Sequence, residues 1–203
     1  MKGFNFYNSL RTISRILFKY IWKMQIVGIE NIPAKGPLII VANHSSLLDG
    51  LVMITAFEHT LTFLSAAYLF DIPVVGFILR KIKAIPVSTS KKTVSARKTV
   101  KDVLNVLENN GILMIFPEGG LRKTNEIADM KSGASFFSVK TKVPVLPVAI
   151  NGTKDILNGG NIILHRRKII VNIGCIINPV DDVEKMSYLI KDNLKTLMNG
   201  DLK

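Results

Sequence analysis

Apolar and polar positions along the chain fall into segments with two periods. Between Ser9 and Met24, Leu10, Ile13, Leu17, Ile21 and Met24 recur at spacings of three and four, which predicts a helix with one apolar stripe. Arg11, Arg15, Lys19 and Lys23 recur every four residues on the roughly opposite face, with Phe18 and Trp22 on or beside it. Two readings fit this helix: a stripe packed on a core with a solvated basic face, or a stripe laid on lipid with its aromatic side chains at headgroup level. Leu38–Ala42 is a short unbroken apolar run after the turn Ile32-Pro33-Ala34-Lys35-Gly36-Pro37, and predicts a buried strand.

Further along, strands are predicted over Leu61–Ser65, Ala84–Val87, Ile112–Phe116, Val145–Ile150 and Ile169–Ile173. Helices are predicted over Leu48–Phe57, Pro73–Leu79, Thr93–Asn109, Ser132–Lys140 and Asp182–Met198. Strands and helices alternate, so the fold class is α/β: a mixed, largely parallel sheet covered by helices, preceded by an N-terminal amphipathic helix. Such sheets place ligands at the carboxyl ends of their strands.

Composition narrows the class of function. The 203 residues carry 48% apolar and 21% charged side chains, enough for a packed domain and incompatible with disorder. One cysteine, Cys175, excludes an intrachain disulfide. The three histidines, His44, His59 and His165, lack metal-ligand spacing, so no metal site is expected. Lys and Arg number 27 against 15 acidic residues, for a net charge of +12. That balance favours polyanionic partners, and a mean hydropathy of +0.30 favours a lipid surface over nucleic acid. No run approaches the roughly 18 apolar residues of a membrane span. Residues 1–27 hold five basic groups and no acidic one, and are expected to form a membrane-association segment ahead of a domain over 28–203. Residues 72–101 carry Arg80, Lys81, Lys83, Lys91, Lys92, Arg97, Lys98 and Lys101 without an acid, a cluster suited to the phosphates of a lipid or of CoA.

Two polar clusters follow predicted strands. Asn43-His44-Ser45-Ser46-Leu47-Leu48-Asp49 follows the first apolar run. A helix would set His44 and Asp49 about 140° apart, so pairing them requires a turn, and Asn43, Ser45 and Ser46 are turn-forming types. An imidazole held at one nitrogen by a carboxylate offers the other as a base. Phe116-Pro117-Glu118-Gly119-Gly120-Leu121-Arg122-Lys123 follows Ile112–Phe116, a tight turn with cations for an anion.

These residues resemble the 1-acyl-glycerol-3-phosphate acyltransferases and the wider glycerolipid acyltransferase superfamily. Asn43, His44 and Asp49 stand as the family's Asn-His-x4-Asp, Phe116 to Gly119 as its Phe-Pro-Glu-Gly, Val145 to Ile150 as its apolar proline strand, and Met130-Lys131-Ser132-Gly133-Ala134 as its Phe-Lys-x-Gly-Ala segment. The likeness covers roughly residues 20–180. Two positions depart from the pattern: Ser88 and Thr89 follow Ile85-Pro86-Val87 where the family carries an arginine, and Arg122 comes one place late.

The resemblance implies transfer of a fatty acyl group from acyl-CoA or acyl carrier protein to the free hydroxyl of a lysophospholipid, most simply 1-acyl-glycerol-3-phosphate to phosphatidic acid. His44 is then the general base and Asp49 its orienter, with Glu118, Gly119, Arg122 and Lys131 at the acceptor headgroup and backbone N–H groups near Gly119 holding an oxyanion or phosphate. No cofactor, no metal and no nucleic-acid partner is implied. An anionic membrane surface is, with the protein peripheral or monotopic on its cytoplasmic face. Another lysolipid acceptor is the alternative within the superfamily. A basic nucleic-acid module would account for the charge and leave both motifs without a role.

Overall fold

The computed structural model describes residues 6–121, 130–154, 156–158, 161–162 and 168–200. Among these residues seven strands form one sheet: β1 Gln25–Val27, β2 Leu38–Ala42, β3 Leu61–Ala66, β4 Ile85–Val87, β5 Ile112–Ile115, β6 Val145–Asn151 and, after a two-strand ribbon (β7 Leu157–Asn158, β8 Asn161–Ile162), β9 Ile170–Ile173. Their spatial order is β1-β9-β6-β2-β5-β3-β4. All neighbours are parallel except β6 and β9, so β9 and β1 run against the other five. The mixed, largely parallel sheet matches the class expected from the alternating pattern.

Among the described residues six α-helices cover the sheet: α1 Phe6–Tyr20, α2 Asp49–Ala56, α3 Pro73–Lys81, α4 Ala96–Glu108, α5 Gly133–Thr141 and α6 Val183–Asn199. Proline opens α3, where its missing N–H costs nothing. Ser95 caps α4 and Asp182 caps α6 through side-chain oxygens on the third following N–H. β2 divides its side chains between two cores. Leu38, Ile40 and Ala42 pack with α1 and α2, while Ile39 and Val41 pack with Val103 and Leu107 of α4, Phe137 of α5 and Met186, Ile190 and Leu194 of α6. Every residue of β2 is buried, which is why it reads as an unbroken apolar run.

α1 docks by a face that keeps Leu10, Ile21 and Met24 of the predicted stripe partly buried against the core but turns Ile13 and Leu17 outward. Tyr7, Ser14, Phe18 and Trp22 are buried, whereas Ile13, Ile16, Leu17 and Tyr20 are exposed. Its arginines turn toward the protein. Arg11 donates to the His59 carbonyl at 2.8 Å, and Arg15 donates to the Thr55 carbonyl at 3.2 Å and to Glu58 Oε1 at 2.6 Å. These are the carbonyls and acid at the C-terminal end of α2, where the helix dipole is negative. Phe18 and Trp22, expected beside a solvated basic face, are carried inward with the arginines. Burial raises the Tyr7 hydroxyl above its ordinary pKa, and the Leu61 N–H donated to it at 2.9 Å opposes that shift.

Candidate active site

β6, β2 and β5 lie side by side and parallel, so their carboxyl ends open on one edge of the sheet. The chain leaves β2 at Asn43, whose side chain donates to the Ile150 carbonyl at 2.9 Å and accepts from the Ile150 N–H at 2.7 Å. This amide prolongs the β2–β6 pairing beyond the last backbone residue of β2. The segment from Asn43 to Leu48 then turns before α2 begins at Asp49. The turn brings together two residues that a helix would have separated. Asp49, fully buried, receives His44 Nδ1 at 3.0 Å, the Ser45 N–H at 2.7 Å and the Ser46 N–H at 2.8 Å, all on Oδ2.

The carboxylate can only accept, so the proton of a neutral His44 sits on Nδ1 and Nε2 keeps its lone pair. The imidazole stacks on Phe116 from the end of β5, with ring centres 4.1 Å apart and planes 17° from parallel. Its side chain remains 15% exposed. It is thus shielded, with its plane set by a neighbour and its tautomer set by a buried acid.

The loop after β5 joins this constellation. Glu118 Oε1 accepts the His44 N–H at 2.9 Å, so the carboxylate expected at an acceptor headgroup ties the two motif loops together. Gly119 adopts φ +67°, and a Cβ there would fall 2.6 Å from Cε of Lys131 and 2.7 Å from its Nζ. The lysine crosses directly over the glycine, and its backbone N–H bonds the Pro117 carbonyl at 2.9 Å. Gly119's own N–H donates to the Phe116 carbonyl at 3.1 Å, so it closes the turn rather than facing an anion as expected. Arg122, like Lys123 and His165, lies outside the described residues.

One contributor escaped the sequence reading. β6 ends at Asn151, Gly152 and Thr153 follow it, and Thr153 Oγ1 donates to Asp49 Oδ1 at 2.5 Å. Gly152 permits this delivery: its φ is +92°, and a Cβ would meet the Lys168 carbonyl oxygen at 2.3 Å. The available signal was a hydroxyl immediately beyond a buried strand, and only the sheet order reveals that this strand borders β2.

The cationic run expected to meet phosphate lies along the β4 edge and its flanking helices. Lys92 is bound to Asp71 at 2.6 Å, Lys91 sits over the Tyr68 ring at 4.8 Å, and Lys83, Arg97, Lys98 and Lys101 are exposed. A cleft of about 520 Å³, lined by Met24, Ile26, Ile29, Ala56 and the Arg15–Glu58 pair, lies at the far end of α2 from His44. Among the described residues there is no group of histidine, cysteine or carboxylate side chains able to hold a metal.

Residues 23–151 match the sequence profile of the acyltransferase family. The chain is 30% identical over 144 residues to a chloroplastic 1-acyl-sn-glycerol-3-phosphate acyltransferase of Brassica napus, covering 69% of this chain and 40% of that protein. It is 30% identical over 159 residues to a chloroplastic protein of the same name from Arabidopsis thaliana, covering 71% of this chain and 43% of that one. It is also 27% identical over 180 residues to the 1-acyl-sn-glycerol-3-phosphate acyltransferase of Borreliella burgdorferi, covering 89% and 70%. The chain therefore spans about two fifths of the plant proteins and 70% of the bacterial one. The crystal structure of the 1-acyl-sn-glycerophosphate acyltransferase PlsC from Thermotoga maritima shares the fold, with a TM-score of 0.72 at 24% identity over 94% of this chain and 79% of that one. The matched segment begins just after α1, closes with β6 and encloses His44, Asp49 and Glu118: the chain belongs to the acyltransferase family.

Proposed function

We propose that this protein moves a fatty acyl group from an acyl thioester, acyl-CoA or acyl carrier protein, to the free hydroxyl of a lysophospholipid, converting 1-acyl-glycerol-3-phosphate to phosphatidic acid. The observation that carries the reading is the 3.0 Å contact between His44 Nδ1 and the buried Asp49, which leaves Nε2 as a base at the sheet edge. Nε2 takes the hydroxyl proton as the oxygen attacks the thioester carbonyl. The tetrahedral adduct collapses, the C–S bond breaks, and the imidazolium returns its proton to the departing thiolate. Asp49 stabilises the imidazolium during that interval. Lys131, exposed over Gly119 beside this centre, supplies positive charge for the acceptor phosphate, with Arg122, three residues after Gly119 in the sequence, in the same role. No cofactor takes part in these steps.

The acceptor and product are lipids, and the exposed apolar side chains suit a bilayer surface. Ile13, Ile16, Leu17 and Tyr20 form a second apolar face on α1, exposed while the first is docked. Phe6 of α1 meets Phe77 of α3 edge to face at 5.8 Å, and α3 adds exposed Val74 and Phe77. Lys19, Arg80 and Lys81 stand among these residues. Such side chains give about 1.5–3 kcal/mol each when fully buried, and each cation adds about 1 kcal/mol near an anionic leaflet. No helix among the described residues is long and apolar enough to cross a membrane. On this reading residues 1–27, joined by the exposed side chains of α3, carry peripheral or monotopic attachment, with the cytoplasmic face as the proposed side, and residues 28–203 carry the chemistry.

Ser88 and Thr89 in place of the family's arginine favour one second reading, a lysolipid acceptor with a different headgroup. Purified protein incubated with acyl-CoA, or with an acyl carrier protein thioester, and a panel of lysolipids, with products read by mass, decides between them. Phosphatidic acid formed fastest supports the first reading, another phospholipid the second. No acylated lipid from either thioester donor overturns both.

A further inference from the structure

We infer that Thr153 is a positioning residue for acyl transfer: its hydroxyl holds the far oxygen of Asp49, so that the near oxygen keeps His44 in the Nδ1–H tautomer with Nε2 as base. The inference rests on the reading of His44 as the base.

The two oxygens of Asp49 are served differently. Oδ2 receives three donors, His44 Nδ1 and the N–H groups of Ser45 and Ser46. All three come from the turn that carries the dyad. Oδ1 receives Thr153 Oγ1 at 2.5 Å, and among the described residues no other donor reaches it. Asp49 and Thr153 both have no exposed surface, so water does not replace that donor.

The proton order of this small network follows from counting. Thr153 has one hydroxyl proton, and a carboxylate oxygen at 2.5 Å can only accept it. The remaining contact of Thr153 Oγ1, with Ser45 Oγ at 3.2 Å, must then be one in which Ser45 donates. Every hydrogen runs toward Asp49: from Ser45 to Thr153, from Thr153 to Oδ1, and from His44 to Oδ2. A carboxylate surrounded only by donors stays an acceptor, and an acceptor at Oδ2 is what keeps the His44 proton on Nδ1. Low polarity strengthens each of these bonds and makes an empty lone pair costly.

Packing alone does not call for threonine here. Valine has nearly the same shape and would suit a fully buried position. The backbone leading to this side chain is also fixed, first by the Asn43–Ile150 exchange and then by the left-handed Gly152.

The test compares Thr153→Val, Thr153→Ser and His44→Ala with the unaltered protein, using acyl-CoA and 1-acyl-glycerol-3-phosphate. Thr153→Val is expected to lower kcat about 10–100-fold, the scale of one hydrogen bond to a charged group, with both KM values within about twofold. Thr153→Ser, which restores the donor, is expected to recover to within about threefold of the unaltered protein. Nitrogen-15 spectra of histidine-labelled protein provide a readout independent of turnover. Neutral His44 should be the Nδ1–H tautomer in the unaltered protein and in Thr153→Ser, and a mixture in Thr153→Val. Full kcat in Thr153→Val, or an equal loss in Val and Ser with the tautomer unchanged, overturns the inference. If Thr153→Val does not fold, Thr153→Cys, similar in size with a weak S–H donor, takes its place, and turnover equal to that of Ser overturns it. Full activity in His44→Ala sinks the reading of the dyad itself. A silent His44→Ala beside a fully active Thr153→Val removes only the role of Thr153.

Discussion

Asn43 and Ile150 exchange two hydrogen bonds across the end of the β2–β6 pair, side-chain amide against main-chain amide. Both residues are buried, so the asparagine supplies the donor and acceptor that strand β2 no longer can. Asn43→Ala would leave the Ile150 N–H and C=O without partners. Each such group costs about 1–3 kcal/mol, so unfolding free energy should fall by about 2–6 kcal/mol. Urea denaturation checks this as a lower midpoint at unchanged slope. A loss below 0.5 kcal/mol, on the order of an ordinary surface change, would mean that the exchange contributes little.

The dyad predicts two distinguishable losses. His44→Ala should reduce kcat/KM by about 10²–10⁴-fold, the usual scale for a missing general base. Asp49→Asn keeps the shape but places an amide where three N–H donors now converge on Oδ2. It should cost at least about 10²-fold in turnover and also reduce stability, because the Ser45 and Ser46 N–H groups lose a charged acceptor. Steady-state kinetics with thermal unfolding on each variant separates the two effects.

Lys131 should govern the acceptor rather than the donor. Its side chain lies over Gly119, beside the loop that Glu118 ties to His44. Lys131→Ala should raise the KM for a phosphate-bearing lysolipid about tenfold, the worth of one charge-assisted bond, and leave the acyl-CoA KM within about twofold. A larger change in the donor KM would reassign the residue.

The two apolar faces of α1 predict opposite phenotypes. Phe18 is 3% exposed, and Phe18→Ala should destabilise the protein by about 3–5 kcal/mol. Ile16 and Tyr20 are 55% and 73% exposed, and the double change to Ser should leave stability within about 0.5 kcal/mol per residue while weakening co-sedimentation with anionic liposomes. If the double variant sediments normally at low and high salt, this face does not touch lipid.

The Arg15 guanidinium beside Glu58 holds that carboxyl below its ordinary pKa. A depressed acid contributes stability above its unfolded pKa, near 4.3, and that contribution disappears as pH falls through the folded value. Glu58 is largely exposed, so the contribution is at most about 1 kcal/mol. Glu58→Gln should therefore be slightly less stable than the unaltered protein at pH 7 and indistinguishable from it once the pH lies below the depressed folded value. Denaturant titrations at the two pH values measure the difference.

How far the fold can be read from the chain depends on where information is local. Leu38–Ala42 announces a doubly buried strand, and Pro73 and Asp182 mark helix starts at or next to where the structure places them. β1 escaped notice because it is three residues long and half exposed, and only its pairing with β9 makes it a strand. α1 was legible as a helix and illegible in orientation. Apolar side chains line both sides of it, and the end of α2 that attracts Arg11 and Arg15 is a tertiary feature. At the site, Asn43, Ser45 and Ser46 foretold the turn that pairs His44 with Asp49. Thr153 stands 104 residues beyond Asp49, and nothing local connects them.

That distance affects how the protein comes into being. His44 and Asp49 leave the ribosome before β6 does, and the β2–β6 pairing waits for Val145 to Asn151. Any nascent chain halted before residue 145 contains both dyad residues but neither the strand that locks Asn43 nor the hydroxyl that meets Oδ1. Closing so long a loop is among the slower steps of folding. On the function proposed above, partly synthesised copies would carry the dyad without the network that sets it, and turnover would wait for β6.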